Sequence, residues 1–251
     1  MKLAIIGGSG ALDLFGSKKK LAMTTPFGAP SDRPCEVEFG PHRGWFLARH
    51  GNPHRVAPHR VNYRANIHAL KALGADSILA INAVGAINAD IDTGELVIPD
   101  QIIDYTSGRA HTFSDGGSAP LRHIDFTWPY AGPLRQLLVQ SAADAGVAAR
   151  DGACHGVVQG PRLETAAEIR RLKADGCDLV GMTAMPEAAL AREAGLDYAS
   201  LCIVANPAAG VGEGAISEED IRSVLARSMA RVRKLVVKLV ESLDPTDPRI
   251  T

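Results

Sequence analysis

Asn62-Tyr63-Arg64-Ala65-Asn66-Ile67-His68-Ala69-Leu70-Lys71-Ala72-Leu73-Gly74 leads through Ala75-Asp76 into Ser77-Ile78-Leu79-Ala80-Ile81-Asn82, and this succession decides the fold class. The first part is amphipathic, opens on an asparagine able to cap a helix, and closes on a glycine, the residue that most readily turns left-handed past a helix end. The second part is a short apolar run bounded by polar residues, as a buried strand is. Similar pairs recur on both sides. Strands are predicted at Leu3–Ile6, Trp45–Ala48, Ser77–Ile81, Leu96–Ile98, Gly156–Val158, Leu179–Gly181 and Ser200–Val204. Helices are predicted at Asn62–Leu73, Pro133–Ala145, Glu164–Ala174 and Pro186–Ala194, with a last one from Ser217 to about Leu243. Strands alternating with helices specify an α/β domain whose helices pack on a central sheet.

The chain of 251 residues is 46% hydrophobic and 22% charged, which suits one full-sized core, and no internal repeat or long linker divides it. One domain is expected over residues 1–243, with a frayed tail at Asp244–Thr251 and a mobile loop at Ser114–Pro120. Lys and Arg number 27 against 28 Asp and Glu, a net charge of -1, so no basic field exists to hold nucleic acid or an anionic membrane. Any phosphate must be held by a local site. Cys35, Cys154, Cys177 and Cys202 are far apart and form no CxxC pair, which argues against a zinc knuckle or a redox motif, and no metal site is expected. The amino-terminal apolar run is too short for a signal peptide, and no segment approaches the roughly 20 apolar residues that span a bilayer. A cytoplasmic location is expected.

Three predicted strands end in groups suited to an anion. Gly7-Gly8-Ser9-Gly10 follows the first, where backbone N–H groups and a hydroxyl can approach a phosphate; a plain tight turn fits equally well. The dinucleotide and Walker patterns are unmatched, so neither a nicotinamide cofactor nor a nucleoside triphosphate is indicated. Arg49-His50-Gly51 follows Trp45–Ala48 and places a guanidinium fork and an imidazole at a strand's carboxyl end, where open α/β sheets bind ligands. A surface arginine beside a half-buried histidine is the alternative. Asn82-Ala83-Val84-Gly85 follows Ser77–Ile81 and reads as a polar residue opening a small turn, with an asparagine-capped turn as its bland counterpart.

With Val61-Asn62-Tyr63-Arg64-Ala65-Asn66, Gly160-Pro161-Arg162-Leu163-Glu164-Thr165-Ala166-Ala167-Glu168 and Gly181-Met182-Thr183-Ala184-Met185-Pro186-Glu187, these blocks make the chain resemble the purine nucleoside phosphorylase and methylthioadenosine phosphorylase family. The resemblance runs in order from residue 3 to beyond residue 210. It implies an α/β fold with a central mixed β-sheet flanked by helices, a homotrimer, and cleavage of a nucleoside by inorganic phosphate acting as co-substrate without a cofactor. It also implies that Ser9, Arg49, His50, Asn82, Ala83 (through its backbone) and Thr183 surround the phosphate. Met182 then packs under the sugar with His54 near it, and His123 reaches a neighbouring subunit's site. Ser9 stands where relatives usually have Thr, and Asn82 where close relatives have Thr or Ser; both keep a hydrogen-bonding group.

Phosphate is itself the nucleophile, so catalysis falls to positioning and to stabilising the leaving base as negative charge flows into it. Asn206, in Val204-Ala205-Asn206-Pro207-Ala208-Ala209-Gly210, aligns with the family's purine contact. Its amide can accept from N7–H and donate to a six-position oxygen, and Asn206 with Ala208 replaces both aspartates of the adenine-type pattern. Glu164, next to Leu163, aligns with the glutamate by which 6-oxopurine members hold the base, and an ionised carboxylate accepts the N1–H that hypoxanthine has and adenine lacks. Its plain reading is an acid in a helix's first turn; that of Asn206 is the cap of a turn before Pro207. The family's late histidine for a 5′-hydroxyl is missing, since no histidine follows His155, and Val211, Ile216 and Ile221 are apolar candidates for a 5′-methylthio group. That combination resembles the members specific for S-methyl-5′-thioinosine. A general inosine/guanosine phosphorylase and a methylthioadenosine phosphorylase are the alternatives within the family. A purine-binding sensor and a nucleosidase stand outside it, the first expected to lose the anion cradle and the second to need an acidic general acid.

Overall fold

The computed structural model describes residues 2–8, 11, 17–39, 42–114, 116 and 121–243, so Ser9, most of the expected loop Ser114–Pro120 and the tail Asp244–Thr251 lie outside the described residues. Its strands are β1 (Leu3–Gly7), β2 (Ser17–Lys20), β3 (Cys35–Phe39), β4 (His42–Ala48), β5 (Ser77–Ala86), β6 (Leu96–Ile98), β7 (Gln101–Asp104), β8 (Arg150–Asp151), β9 (Cys154–Val157), β10 (Leu179–Gly181) and β11 (Asp197–Pro207). Its helices are α1 (Tyr63–Ala72), α2 (Pro133–Asp144), α3 (Ala166–Ala174), α4 (Ala184–Glu193) and α5 (Glu218–Ser242). Every predicted strand and helix is present.

Local chemistry sets the helix ends. Asn62 caps α1 by accepting from the Ala65 N–H at 3.1 Å, and Gly74 follows with φ +83°. Thr165 and Glu168 form a reciprocal capping box that starts α3 at Ala166. Glu164 therefore stands ahead of the helix rather than in its first turn, which corrects the plain reading of that residue. Ser217 caps α5 by accepting from the Glu219 and Asp220 N–H groups.

The sheet is mixed, as the resemblance implies. β5 is its axis: β1 runs parallel to its first half, from Leu3↔Ser77 to Ile6↔Ala80, and β10 runs antiparallel to its end at Val180↔Gly85 and Leu179↔Ala86. On the other edge β11 is parallel to it from Asp197↔Ser77 to Val204↔Val84, then shifts register so that Asn206 meets Gly85. Asn82-Ala83-Val84-Gly85 is thus strand and not a turn, because β11 continues to pair with it past Ile81. One face of the sheet packs Ile78, Ala80 and Tyr198 against Ile67 and Leu70 of α1 and Leu190 of α4. The other packs Leu79, Leu201 and Ile203 against Leu134 and Leu138 of α2 and Val232, Leu235 and Leu239 of α5. Among the described residues no helix is long and apolar enough to cross a membrane.

Candidate active site

Between the last β1 partner at Ala80 and the first β10 partner at Gly85, one edge of β5 has no strand beside it. Alternate residues of a strand aim their N–H and C=O groups at the same edge. The Ile81 carbonyl points into this gap, where it accepts from Arg49 Nη1 at 3.1 Å, so the Ala83 N–H points there too. Ala83 is exposed although its neighbours are buried. The carboxyl end of β4 delivers Arg49 and His50 beside β1, where the Arg49 N–H donates to the Gly7 carbonyl at 2.9 Å. From the other side β10 delivers Thr183, the N-cap of α4, whose hydroxyl does not cap the helix but donates to Asn82 Oδ1 at 3.2 Å. Asn82, Ala83, Thr183, Arg49 and His50 are therefore brought together around one gap.

Arg49 departs from the expected role. It is 2% exposed, and Nε and Nη2 bind the two carboxylate oxygens of the fully buried Glu187 at 2.8 Å each. Nη2 also meets the Ile6 carbonyl at 3.4 Å. With the Ile81 contact these bonds engage four of its five N–H groups, so the fork assigned to phosphate is turned onto a carboxylate and one Nη1 proton remains. Burial alone would lower the Arg49 pKa, but Glu187 overrides it and holds the guanidinium charged. Nothing in the sequence near Arg49 announces its partner Glu187, 138 residues away. Its signal is an acid on the face of α4 that otherwise carries Leu190 and Ala191.

His50 Nδ1 lies 2.8 Å from the Val56 carbonyl and so carries the proton it donates there, leaving Nε2 an acceptor. Its ring stacks on His54 at 4.3 Å, which places His54 behind His50, exposed. Burial, reinforced by Arg49, pulls the His50 pKa to about 4, and the same two causes bring the buried His155 to about 4. Unfolded imidazoles bind a proton near pH 6.5, so between pH 6.5 and 4 the unfolded chain binds more protons than the folded one. Stability to urea is expected to be flat above about pH 7 and to fall as the pH drops from about 6.5 towards 4, with His155→Gln reducing the slope by about one proton. A stability that rose over that interval would require charged imidazoles in the native state.

Arg109 escaped the sequence reading altogether. It is buried, has no carboxylate partner among the described residues, and donates to the Met182, Met185, Val158 and Gln159 carbonyls, Gln159 Oε1 and Tyr63 Oη. It clasps the segment that carries Thr183. Main-chain acceptors from distant segments leave no pattern around such a residue. Met182 lies against Gly160, where φ is +59° and an added Cβ would fall 2.4 Å from Sδ, so only glycine fits that close approach.

A cavity of about 450 Å³ opens beyond the register shift of β11. Asn206, Pro207, Ala208, Leu163, Glu164 and Ile216 all line it, as expected of base and sugar contacts, and so do Ser217, Asp220 and Val224, which were not expected. Val211 and Ile221 do not line it. Burial holds the Glu164 carboxyl above the usual carboxylate range. Asn206 is strand and not the cap of a turn, because β11 runs to Pro207 and Asn206 itself pairs with Gly85; its Nδ2 donates to the Pro207 carbonyl at 2.7 Å, while Oδ1 and the second N–H have no partner among the described residues. His123 is exposed and has no contact with this cavity in its own chain.

Asn206 pairs with Gly85, two residues beyond Ala83 on β5, so the anion gap and the cavity lie about 7 Å apart along one strand. A protein named probable S-methyl-5′-thioinosine phosphorylase from Pseudomonas syringae pv. tomato is 49% identical over 244 residues, 95% of this chain and 98% of that one. A probable 6-oxopurine nucleoside phosphorylase from Thermococcus kodakarensis is 42% identical over 250 residues, 96% of this chain and 92% of that one. Methylthioadenosine phosphorylase from Schistosoma mansoni, solved in complex with adenine, superposes with a TM-score of 0.91 at 34% identity, covering 98% of this chain and 93% of that one. The family model of the phosphorylase superfamily matches residues 2–241, nearly the whole described fold. With that match and those identities, the chain belongs to the phosphorylase superfamily.

Proposed function

We propose that the protein cleaves S-methyl-5′-thioinosine with inorganic phosphate, giving hypoxanthine and S-methyl-5-thioribose 1-phosphate. The observation that carries this reading lies along β5: the edge that β1 has left and β10 has not reached opens a gap at Ala83, and pairing with β11 brings Asn206, at the cavity that Glu164 also lines, to Gly85 two residues on. Phosphate sits in the gap against the Ala83 N–H, Asn82, Thr183 and the remaining Arg49 proton, with His50 beside it; the resemblance assigns Ser9 to the phosphate as well. Its oxygen bonds to C1′ as the C1′–N9 bond breaks and the electron pair passes into the purine. Asn206 holds the proton at N7 and donates to O6, Glu164 accepts from N1–H, and Leu163, Pro207 and Ala208 enclose the base. Met182 and His54 lie towards the sugar, and Ile216 with Val224 faces the methylthio group. The reaction needs no cofactor in this reading. A homotrimer, with His123 reaching the neighbouring site, and a cytoplasmic location belong to the same proposal.

A general oxopurine nucleoside phosphorylase is the second reading, favoured by Ser217 and Asp220, which line the same cavity and offer partners to a 5′-hydroxyl. One substrate panel separates the two: S-methyl-5′-thioinosine, inosine and methylthioadenosine, each with and without phosphate. Purine release is expected only with phosphate. Burying the methylthio group is worth about 1–2 kcal/mol and a 5′-hydroxyl placed against Ile216 and Val224 without a partner is penalised as well, so the thioinosine is expected to exceed inosine at least about tenfold in kcat/KM. Inosine cleaved equally well transfers the assignment to the general enzyme, and equal release without phosphate makes the protein a nucleosidase.

A further inference from the structure

Asn82 is an amide on the apolar face of a central strand, 3% exposed, in line with Ile78 and Ala80. A carboxamide in that setting is held only as well as its partners hold it. It has two side-chain partners among the described residues. At the gap, its Oδ1 accepts from Thr183 Oγ1 at 3.2 Å; inside the core, its Nδ2 donates to Ser200 Oγ at 2.7 Å. Ser200 is fully buried on β11, where it pairs with Ala80 and so shares a face with Asn82. The Ser200 hydroxyl lies 3.5 Å from Cys202 Sγ, which gives its own proton a place to go while Oγ accepts from Asn82.

We propose that Ser200 is a positioning residue for phosphate, acting through the Asn82 carboxamide. This rests on the reading of the gap as the phosphate site. A phosphate in the gap competes for the Thr183 hydroxyl, and Ser200 is then the partner that still fixes the amide, aiming its second N–H at the anion. Ser200 never touches the substrate. A threonine or serine at position 82 would present a hydroxyl on a short stem and would need no such anchor, so asparagine at 82 and a hydroxyl at 200 act together.

The test is a double-mutant cycle read as KM for phosphate and, separately, for the nucleoside. Ser200→Ala is expected to raise the phosphate KM at least about fivefold, the lower end of what an unanchored buried amide loses, with the nucleoside KM changed less than about twofold. On an Asn82→Thr background the same change is expected to leave the phosphate KM unaltered. A merely structural serine would move stability equally on both backgrounds and would not single out phosphate. Should alanine prevent folding, Ser200→Cys keeps the bulk with a weaker hydrogen bond and is expected to give an intermediate KM; a wild-type KM there overturns the proposal. Asn82→Ala separates the two levels of inference. If it raises the phosphate KM but Ser200→Ala does not, the positioning role is wrong; if Asn82→Ala leaves the phosphate KM alone, the phosphate site itself is misplaced.

Discussion

Arg49→Ala is expected to destabilise the protein by about 3–5 kcal/mol, or roughly 6–20 °C in Tm for a chain of this size, before any effect on phosphate is considered. The reason is Glu187, which is fully buried and binds both arms of the guanidinium at 2.8 Å. Among the described residues, removing Arg49 leaves that carboxylate with only the Tyr198 hydroxyl, 3.0 Å away, and no opposite charge. Two further acceptors, the Ile6 and Ile81 carbonyls, lose their donor where β1 and β5 part. Thermal or urea unfolding followed by circular dichroism measures the loss. The double variant Arg49→Met with Glu187→Leu removes both charges and is expected to recover most of the stability while leaving phosphate use impaired. Wild-type stability in Arg49→Ala would mean that the pair does not hold the core and that Arg49 serves the ligand alone.

How far the site could be read ahead of the structure depended on whether partners were close in the chain. The cap of α1 at Asn62 and that of α5 at Ser217 are local, and both were legible from a few adjacent residues. The Arg49–Glu187 pair joins residues 138 apart, and the Asn82–Ser200 bond residues 118 apart; nothing near either end announces the other. β3 alternates Cys35, Val37 and Phe39 inward with Glu36 and Glu38 less buried, the period-two pattern of a half-buried strand, so its omission from the predicted strands was avoidable. The lysines of β2 and the two residues of β8 carry no such pattern, and they are strands because neighbours pair with them.

Resemblance and geometry contribute different things to the site. The blocks at residues 160–168 and 181–187 pointed to Glu164 and Thr183, yet only the register of β5 with β11 puts Thr183's partner Asn82 and the proposed base contact Asn206 on adjoining stretches of strand. The pairings of β5 with β1 and β10 explain why Ala83 can act through its backbone: it stands at an edge that β1 has left and β10 has not reached.

Asn206→Asp is expected to lower kcat/KM for oxopurine nucleosides by about 5- to 150-fold, the equivalent of roughly 1–3 kcal/mol for a reversed hydrogen bond at a buried edge. The aspartate keeps an acceptor for N7–H but has no donor for O6. It also loses the Nδ2 bond to the Pro207 carbonyl and sets two acceptors against each other where that 2.7 Å contact now lies. A gain for methylthioadenosine should not follow at once, because Glu164 lines the same cavity and meets the N1 acceptor of adenine with a second acceptor. Pairing Asn206→Asp with Glu164→Ser removes that opposition, and the ratio of methylthioadenosine to S-methyl-5′-thioinosine cleavage is expected to rise further in the double variant than in either single one. The ratio is the informative quantity, since a general loss of activity lowers both rates and leaves it unchanged. An unaltered ratio in Asn206→Asp would confine Asn206 to its place in β11 and leave discrimination between the bases to Glu164.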